Sequence, residues 1–276
     1  MGLEATLRCP CGESNFAEAL HYGAAPRGEI QFPLVGEYRR YYDRCITCGH
    51  YFSRHKLDMG ALYKGDYLTV TYGGAKGIEE AFKRISNLPA EKSDNFHRVE
   101  RVTQFADKWF EARKTQRRLI DIGSGLGIFV SGMKIMGWCC TALDPDERFS
   151  GHARRNIGVD TLTCNFGREP CEDIGTFQCV SLNKVLEHVE DPVDFLTKAK
   201  KLLASDGFIY IEVPDGEMAI RESDQREEFF IEHHHVFSSS SLPILIAQAG
   251  MDLLVMERLR EPSGKYTLFS FIAANT

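Results

Sequence analysis

The sequence predicts an α/β fold: a doubly wound, mostly parallel sheet preceded by a small cysteine-bearing N-terminal segment. Three observations lead there. In Arg118-Leu119-Ile120-Asp121-Ile122-Gly123-Ser124-Gly125-Leu126-Gly127 a short apolar run opens into glycines at alternate positions, and an apolar stretch with helical spacing follows to Met136. That order is strand, tight turn, helix, the arrangement with which α/β proteins hold nucleotide-like ligands. Strand-like runs then alternate with helical stretches to the end of the chain, as in a wound parallel sheet. Finally, Cys9, Cys11, Cys45 and Cys48 form two close pairs near the N-terminus.

Composition bounds the rest. The chain has 276 residues, a net charge of −6 and nine cysteines. The acidic balance argues against nucleic acid as a partner. No run reaches the roughly 18–20 apolar residues of a membrane span. Met1 to Pro10 lacks the apolar stretch of a secretory signal, so the expectation is a cytoplasmic, reducing setting in which paired cysteines hold metal and scattered ones pack as small hydrophobes. Three parts are expected: residues 1–58 as a zinc-ribbon-like domain, 59–112 as a connector and helical lid, and 113–276 as the sheet domain.

In the first part each cysteine pair is followed by glycine, Gly12 and Gly49. Two such knuckles can bring four thiolates to the corners of a tetrahedron, the geometry structural Zn²⁺ prefers. A closed four-thiolate site leaves no open position, so Cys9, Cys11, Cys45 and Cys48 are expected to bind a structural ion. His50 and His55 are substitute ligands. Tyr38, Tyr41, Tyr42, Tyr51 and Phe52 are expected to pack a segment too small for a core of its own.

In the connector, Tyr67 and Tyr72 lie in turn-rich aromatic text. Ser93-Asp94-Asn95 then starts a helix whose apolar face reads Phe96, Val99, Val102, Phe105, Ala106 and Trp109. Arg98 lies on its other edge. Tyr67, Tyr72 and Arg98 are the candidate contacts for a small-molecule acceptor.

Within the sheet domain, Trp138 to Leu143 reads as a second strand that ends at Asp144, about twenty residues after the glycine turn, where a carboxylate can accept from ribose hydroxyls. Nicotinamide enzymes use the same device, but a G-x-G-x-x-G turn begun at Gly123 would need glycine at position 128, which is Ile128. A helix from Glu147 to Asn156 and a short strand at Thr161 to Thr163 follow. Phe177 to Leu182 is the next strand, then Asn183-Lys184-Val185-Leu186-Glu187-His188-Val189, and Asp191-Pro192 opens a helix. Phe208 to Val213 is a further strand. Beyond Phe229-Phe230-Ile231-Glu232-His233-His234-His235 come a helix to Ala249 and a terminal hairpin, Met251 to Leu259 and Tyr266 to Ala273.

The D-x-G-x-G-x-G pattern at Asp121 to Gly127 resembles motif I of the class I S-adenosylmethionine-dependent methyltransferases, and Val185-Leu186-Glu187-His188-Val189 resembles their segment after strand four. A cysteine ribbon joined to such a core is similar to a subgroup that includes nucleotide-sugar C-methyltransferases. That subgroup's E-H phrase is matched by Glu232-His233, but its tyrosine two residues earlier is Phe230 here, so a phenolic base is missing. The resemblance implies a seven-stranded sheet, S-adenosylmethionine as donor and structural Zn²⁺. It implies that Asp121 meets the donor's amino group, that Gly123 and Gly125 let the backbone touch its methionine portion and ribose, that Ser124, Gly127 and Asn183 also belong to the donor site, that Asp144 takes the ribose, and that Asn165 and Phe166 meet the adenine. A proton-accepting histidine would be His233 first, His188 second, with His235 a further candidate. The acceptor implied is small and hydrophilic, a nucleotide-linked sugar or surface-glycan precursor. Two alternatives stand beside it, a nicotinamide-dependent oxidoreductase and a catalytically inactive zinc-ribbon binding protein. The sequence carries no signal for oligomeric state.

Overall fold

The computed structural model describes residues 9–29, 37–57, 75–111, 116–169, 171 and 174–275. Tyr67 and Tyr72 lie outside the described residues. Among the described residues, eleven strands form two sheets. The larger contains β4 (Arg118–Ile122), β5 (Cys139–Asp144), β6 (Asp160–Thr163), β7 (Phe177–Asn183), β8 (Leu203–Pro214), β10 (Met251–Arg260) and β11 (Tyr266–Ala274), in the spatial order β10-β11-β8-β7-β4-β5-β6. Five strands, β8 to β6 in that order, pair in parallel; β11 runs antiparallel to both its neighbours. The chain winds outward from β4 through β5 to β6 and returns to place β7 on the other side of β4. The crevice at that reversal, beyond the carboxyl ends of β4 and β7, is where open α/β sheets bind ligands.

Alternation along the strands divides the core into two layers. Ile120, Val180, Ile209, Ile211 and Ile272 face the helices α5 (Pro192–Lys200) and α7 (Ser241–Gln248), meeting Phe195, Leu196, Leu242, Leu245 and Ile246. Leu119, Cys179, Phe208, Tyr210 and Phe271 face the other side, meeting Val102 and Ala106 of α2 (Asp94–Trp109) and Phe129, Val130 and Met133 of α3 (Ile128–Ile135). Cys140 and Cys179 are buried among these side chains, as small hydrophobes should be. The scattered cysteines are not all of that kind: Cys139 is exposed, and Cys164 and Cys171 form a disulfide.

Helix α2 begins where the sequence placed it, with Ser93 Oγ accepting from the Phe96 amide at 3.1 Å. Its backbone comes close to α3, because a Cβ on Gly132 would lie 2.5 Å from Val99 Cγ2. Two details differ from expectation. Phe96 is half exposed and takes no part in the buried face, whereas Arg98 and Arg101 on the opposite edge reach inward to the sheet. The helix after β5 keeps α geometry only over α4 (Glu147–His152) and finishes in a π turn, Ala153–Ile157. Helices α1 (Ala75–Ser86), which packs against α4, and α6 (Gly216–Glu222) complete the set among the described residues.

The smaller sheet joins the two ends of the sequence. Strands β1 (Phe16–Tyr22), β2 (Arg40–Cys45) and β3 (Tyr51–His55) form an antiparallel meander, and its fourth strand, β9 (His235–Val236), comes from the sheet domain, with Tyr51 opposite Val236 and Phe52 opposite His235. Tyr42 and Tyr51 pack edge-on against Phe229, so the N-terminal aromatics share a core with that domain instead of enclosing their own. No helix among the described residues is long and apolar enough to cross a membrane.

Candidate active site

A cavity of about 620 Å³ opens at the reversal point of the sheet. That is an ordinary size for a small-molecule or cofactor site. Its floor is Ile122 and Gly123 at the end of β4, and Leu143 and Asp144 at the end of β5. Phe149, Phe166 and Phe195 form apolar walls, Asn165 contributes an amide, and Lys184, Val185, His188 and Glu232 complete the lining.

The glycine turn has the backbone its sequence demanded. Gly123, Gly125 and Gly127 all have positive φ, a region L side chains rarely enter. Space also dictates two of them: a Cβ on Gly123 would lie 2.8 Å from Val185 Cγ2, and one on Gly127 would lie 2.5 Å from Ile157 Cδ1. Asp144 ties the turn to the neighbouring strand. Its Oδ2 accepts from the Gly125 amide and its Oδ1 from the Asp146 amide, both at 2.9 Å. Each oxygen keeps a lone pair for a hydroxyl group on the cavity side. Burial raises the Asp144 carboxyl to about 6.

Asp121 sits just behind this floor. Its Oδ1 accepts from Ser181 Oγ at 2.6 Å and from Asn183 Nδ2 at 2.9 Å, and burial raises it to about 7 in spite of those donors. A ligand ammonium close by would favour the carboxylate. Ser124 Oγ and Asn183 Oδ1 are buried without a partner. A cavity with a carboxylate at a strand tip, aromatic walls and orphaned polar atoms beside its glycine turn suits an adenosyl group bearing a charged amino-acid tail.

The histidine end of the cavity brings two imidazoles together, with their ring planes 69° apart. The His188 and His233 rings meet edge to face with centroids 4.9 Å apart. A carbonyl only accepts, so the contact of His188 Nδ1 with Glu232 O at 2.9 Å and that of His233 Nδ1 with Glu228 O at 2.8 Å each put the proton on Nδ1. The Nε2 lone pairs are then available as bases. Burial, and secondarily His188, holds His233 well below the usual imidazole range, so it is neutral near pH 7. His188 lines the cavity and His233 backs it. Glu187 is buried, and one of its oxygens lies within 4.8 Å of a ring nitrogen of each histidine.

His235 is placed elsewhere. It is buried in the seam with the small sheet, its Nδ1 3.0 Å from His50 Nε2 and its Nε2 3.2 Å from Glu190 O, while His50 Nδ1 meets Ser241 Oγ at 3.1 Å. With both nitrogens engaged, it is a packing histidine. Arg98, expected at the acceptor mouth, donates to the buried Glu212 at 2.5 Å; Arg101 and the Tyr210 hydroxyl hold the other Glu212 oxygen. Its guanidinium therefore neutralises a buried carboxylate. Sequence reasoning missed Lys184, which is partly buried and has positive φ, the one non-glycine in that region among the described residues. Its amide donates to Glu212 O at 3.0 Å and its ammonium to Thr267 Oγ1, which fixes the start of the segment carrying His188. The residues around Lys184 gave no local warning, because the partners that impose the strain are far off in the sequence.

At the N-terminal end the four thiols gather as the spacing required. Cys9 and Cys48 Sγ are 3.3 Å apart, Cys9 and Cys11 3.2 Å, and Cys11 and Cys45 3.6 Å. The edge of a tetrahedron with Zn–S bonds of about 2.3 Å is about 3.8 Å, close to these separations. Gly12 and Gly49 have positive φ and close the two knuckles with bonds to Cys9 O and Cys45 O.

Comparison with known proteins agrees with this architecture. A family model described as a methyltransferase domain matches residues 92–255. The chain belongs to this methyltransferase domain family. The domain spans the glycine turn, Asp144 and the His188 segment, while the cysteine cluster lies outside it. C-methyltransferase NovU of Streptomyces niveus is 26% identical over 280 residues, covering 96% of this chain and 60% of that protein. The ubiquinone biosynthesis O-methyltransferase of Caulobacter vibrioides is 31% identical over 98 residues, covering 34% and 39%. The chain thus spans at most about 60% of the length of these curated relatives. Among solved structures, the 1,6-didemethyltoxoflavin-N1-methyltransferase of Burkholderia thailandensis superposes with a TM-score of 0.53 at 15% identity, covering 84% of this chain and 99% of that one. The magnesium protoporphyrin IX methyltransferase of Synechocystis gives 0.54 at 12%, covering 76% and 97%. Identities this low speak to the fold alone.

Proposed function

We propose that the protein transfers a methyl group from S-adenosylmethionine to a small hydrophilic acceptor, a nucleotide-linked sugar or surface-glycan precursor. The observation that carries this reading is the single cavity that has Asp144 and the glycine turn at one end and the His188–His233 pair at the other. A donor site and a proton-accepting site then share one space. The sulfonium donor, when bound, supplies an electrophilic methyl group. The chain's own residues align and deprotonate. Asp144 accepts from the ribose hydroxyls, Asn165 and Phe166 border the adenine, and Asp121 with Asn183 draws the ammonium to the glycine turn. In-line displacement depends chiefly on this alignment. At the other end, an Nε2 of the histidine pair takes the acceptor's proton, with Glu187 beside the pair to stabilise the imidazolium that forms.

The finer reading, a sugar acceptor, rests on the resemblance of the cysteine ribbon, core and Glu232-His233 phrase to nucleotide-sugar C-methyltransferases; the match to C-methyltransferase NovU likewise runs through the cysteine-bearing segment as well as the core. Phe230 stands two residues before Glu232, so the phenol expected at that position is missing and we assign proton abstraction to imidazole. Nothing in the comparisons favours the nicotinamide alternative. We also assign Cys9, Cys11, Cys45 and Cys48 to a structural Zn²⁺, whose four thiolate ligands leave no position for catalysis.

The test is a screen of nucleotide sugars with methyl-labelled donor and the metal-replete protein, read by mass spectrometry. Label is expected in one sugar product. Absence of S-adenosylmethionine and S-adenosylhomocysteine binding in calorimetry would overturn the assignment of the donor site. Label found only in products that lack a sugar would overturn the acceptor.

A further inference from the structure

The histidine pair hangs on a short segment, and that segment is held by the N-terminal sheet. Glu228 O and Glu232 O accept from the two Nδ1–H groups, so the backbone of residues 228–233 sets the tautomer and the angle of both rings. This stretch contains only one helical turn, Glu227–Phe229. Its carbonyls and amides are met instead by side chains almost two hundred residues earlier. Tyr42 Oη approaches His233 O at 2.8 Å and Phe230 O at 3.1 Å. Arg40 donates to Phe229 O at 2.6 Å, and Glu29 Oε2 accepts from the Ile231 amide at 2.8 Å. Arg40 and Glu29 are themselves a fully buried ion pair, 2.8 Å apart, with the guanidinium over the rings of Tyr22 and Tyr42.

A buried ion pair is poor value as a source of stability, since desolvation opposes most of the attraction. Here the two charges point at successive peptide groups of one segment, which gives the pair a geometric purpose. Four contacts from three side chains, the one Tyr42 proton being shared between two carbonyls, fix residues 229, 230, 231 and 233, and a second set of contacts secures the chain just beyond them. The Ser53 amide donates to His234 O, β9 pairs with β3, and Ser238 Oγ donates to Cys48 O in the second cysteine knuckle.

We propose that Tyr42, Arg40 and Glu29 are positioning residues for the His188–His233 pair, so that the N-terminal sheet is a working part of the active site. The catalytic meaning rests on the methyl-transfer reading above; the positioning itself does not. Tyr42 is the informative position, because Tyr42→Phe removes a hydroxyl and keeps the ring that packs on Phe229. The N-terminal hold predicts that kcat falls at least about tenfold, since small displacements of reacting groups cost up to about a hundredfold. Donor affinity should stay unchanged, because every described residue lining the cavity lies in the sheet domain. Nitrogen NMR of the imidazoles supplies a readout free of turnover: His233 and His188 should show the Nδ1–H tautomer in the parent protein and a tautomer mixture in Tyr42→Phe. Arg40→Met combined with Glu29→Gln removes both buried charges together and should give the same mixture.

Unchanged tautomer signals in both variants would overturn the proposal, whatever the activity. Altered signals in a protein that binds no sulfonium donor would instead uphold the positioning and overturn the methyl-transfer reading. If the double variant fails to fold, Tyr42→Phe decides alone.

Discussion

The two ends of the cavity are built in opposite ways. At the Asp144 end, the parts are near in sequence: Asp121, Gly123, Gly125, Gly127 and Asp144 lie within 24 residues, and the strand tips and turn that carry them are adjacent in the sheet. At the histidine end, His188 and His233 are 45 residues apart by number, and the groups that aim them come from residues 29, 40 and 42. The comparison teaches that one end is a local motif folding into a local shape, whereas the other exists only once three distant stretches have packed. It follows that damage at the first end should appear as lost affinity, and damage at the second as lost turnover.

The largest effect expected is on turnover. His188→Asn, at the histidine that lines the cavity, should reduce kcat by about 10² to 10⁴, the usual worth of a positioned general base, and leave the donor dissociation constant unchanged. Stopped or steady-state kinetics beside calorimetry separates the two quantities, and a matching loss of affinity would break the division between the ends. Next, Asp144→Ala should weaken donor binding about a hundredfold, through loss of the ribose acceptor and release of the Gly125 amide it holds. Calorimetry checks this, and retained affinity would show that the glycine turn suffices without the carboxylate.

A smaller effect sharpens the comparison through pH. Burial lifts Asp121 from an ordinary value of 3.8 to about 7, so the folded protein binds a proton more tightly than the unfolded chain. Such a group contributes stability in the acid range that is lost as pH rises from about 4 through 7. In the ligand-free protein, Asp121→Asn should therefore be stabilising at pH 8, on the order of 2 to 4 kcal/mol, and close to neutral at pH 4. The same change should weaken donor binding at pH 8, where the carboxylate would otherwise face an ammonium. Denaturant melts at the two pH values test the sign; a variant less stable at pH 8 than at pH 4, relative to the parent, would reverse it.

The contrast between the two ends also explains what could be read without coordinates. The strand-turn-helix at Arg118 to Met136 was legible because three φ-positive positions and an apolar period need only neighbouring residues to be satisfied. That Asp144, Asn165 and Phe166 line the cavity was legible because each lies at or just past a strand tip, and strand tips on one edge converge. The cysteine knuckles were legible for the same local reason. By contrast, Arg98 looked like a free cation on a helix edge, and only the packing of α2 over β8 put a buried Glu212 beneath it. His235 could not be told from His233 by sequence, since both stand in one run of three; β-pairing with Tyr51 and Phe52 turned one into the small sheet and left the other behind the cavity. A two-residue strand such as β9 has no periodicity to detect.

What the sequence by itself determined is thus the wound sheet, its glycine turn with the acid after it, and the cysteine cluster, all consequences of short-range backbone preference and alternating burial. Only the tertiary structure decided which histidines meet at the cavity, why Lys184 holds a strained backbone, and that Glu29, Arg40 and Tyr42 grip the segment that aims those histidines. Those outcomes depend on desolvated hydrogen bonds and ion pairs between residues far apart in the chain, and no local pattern of residues encodes which partner a buried polar group will find.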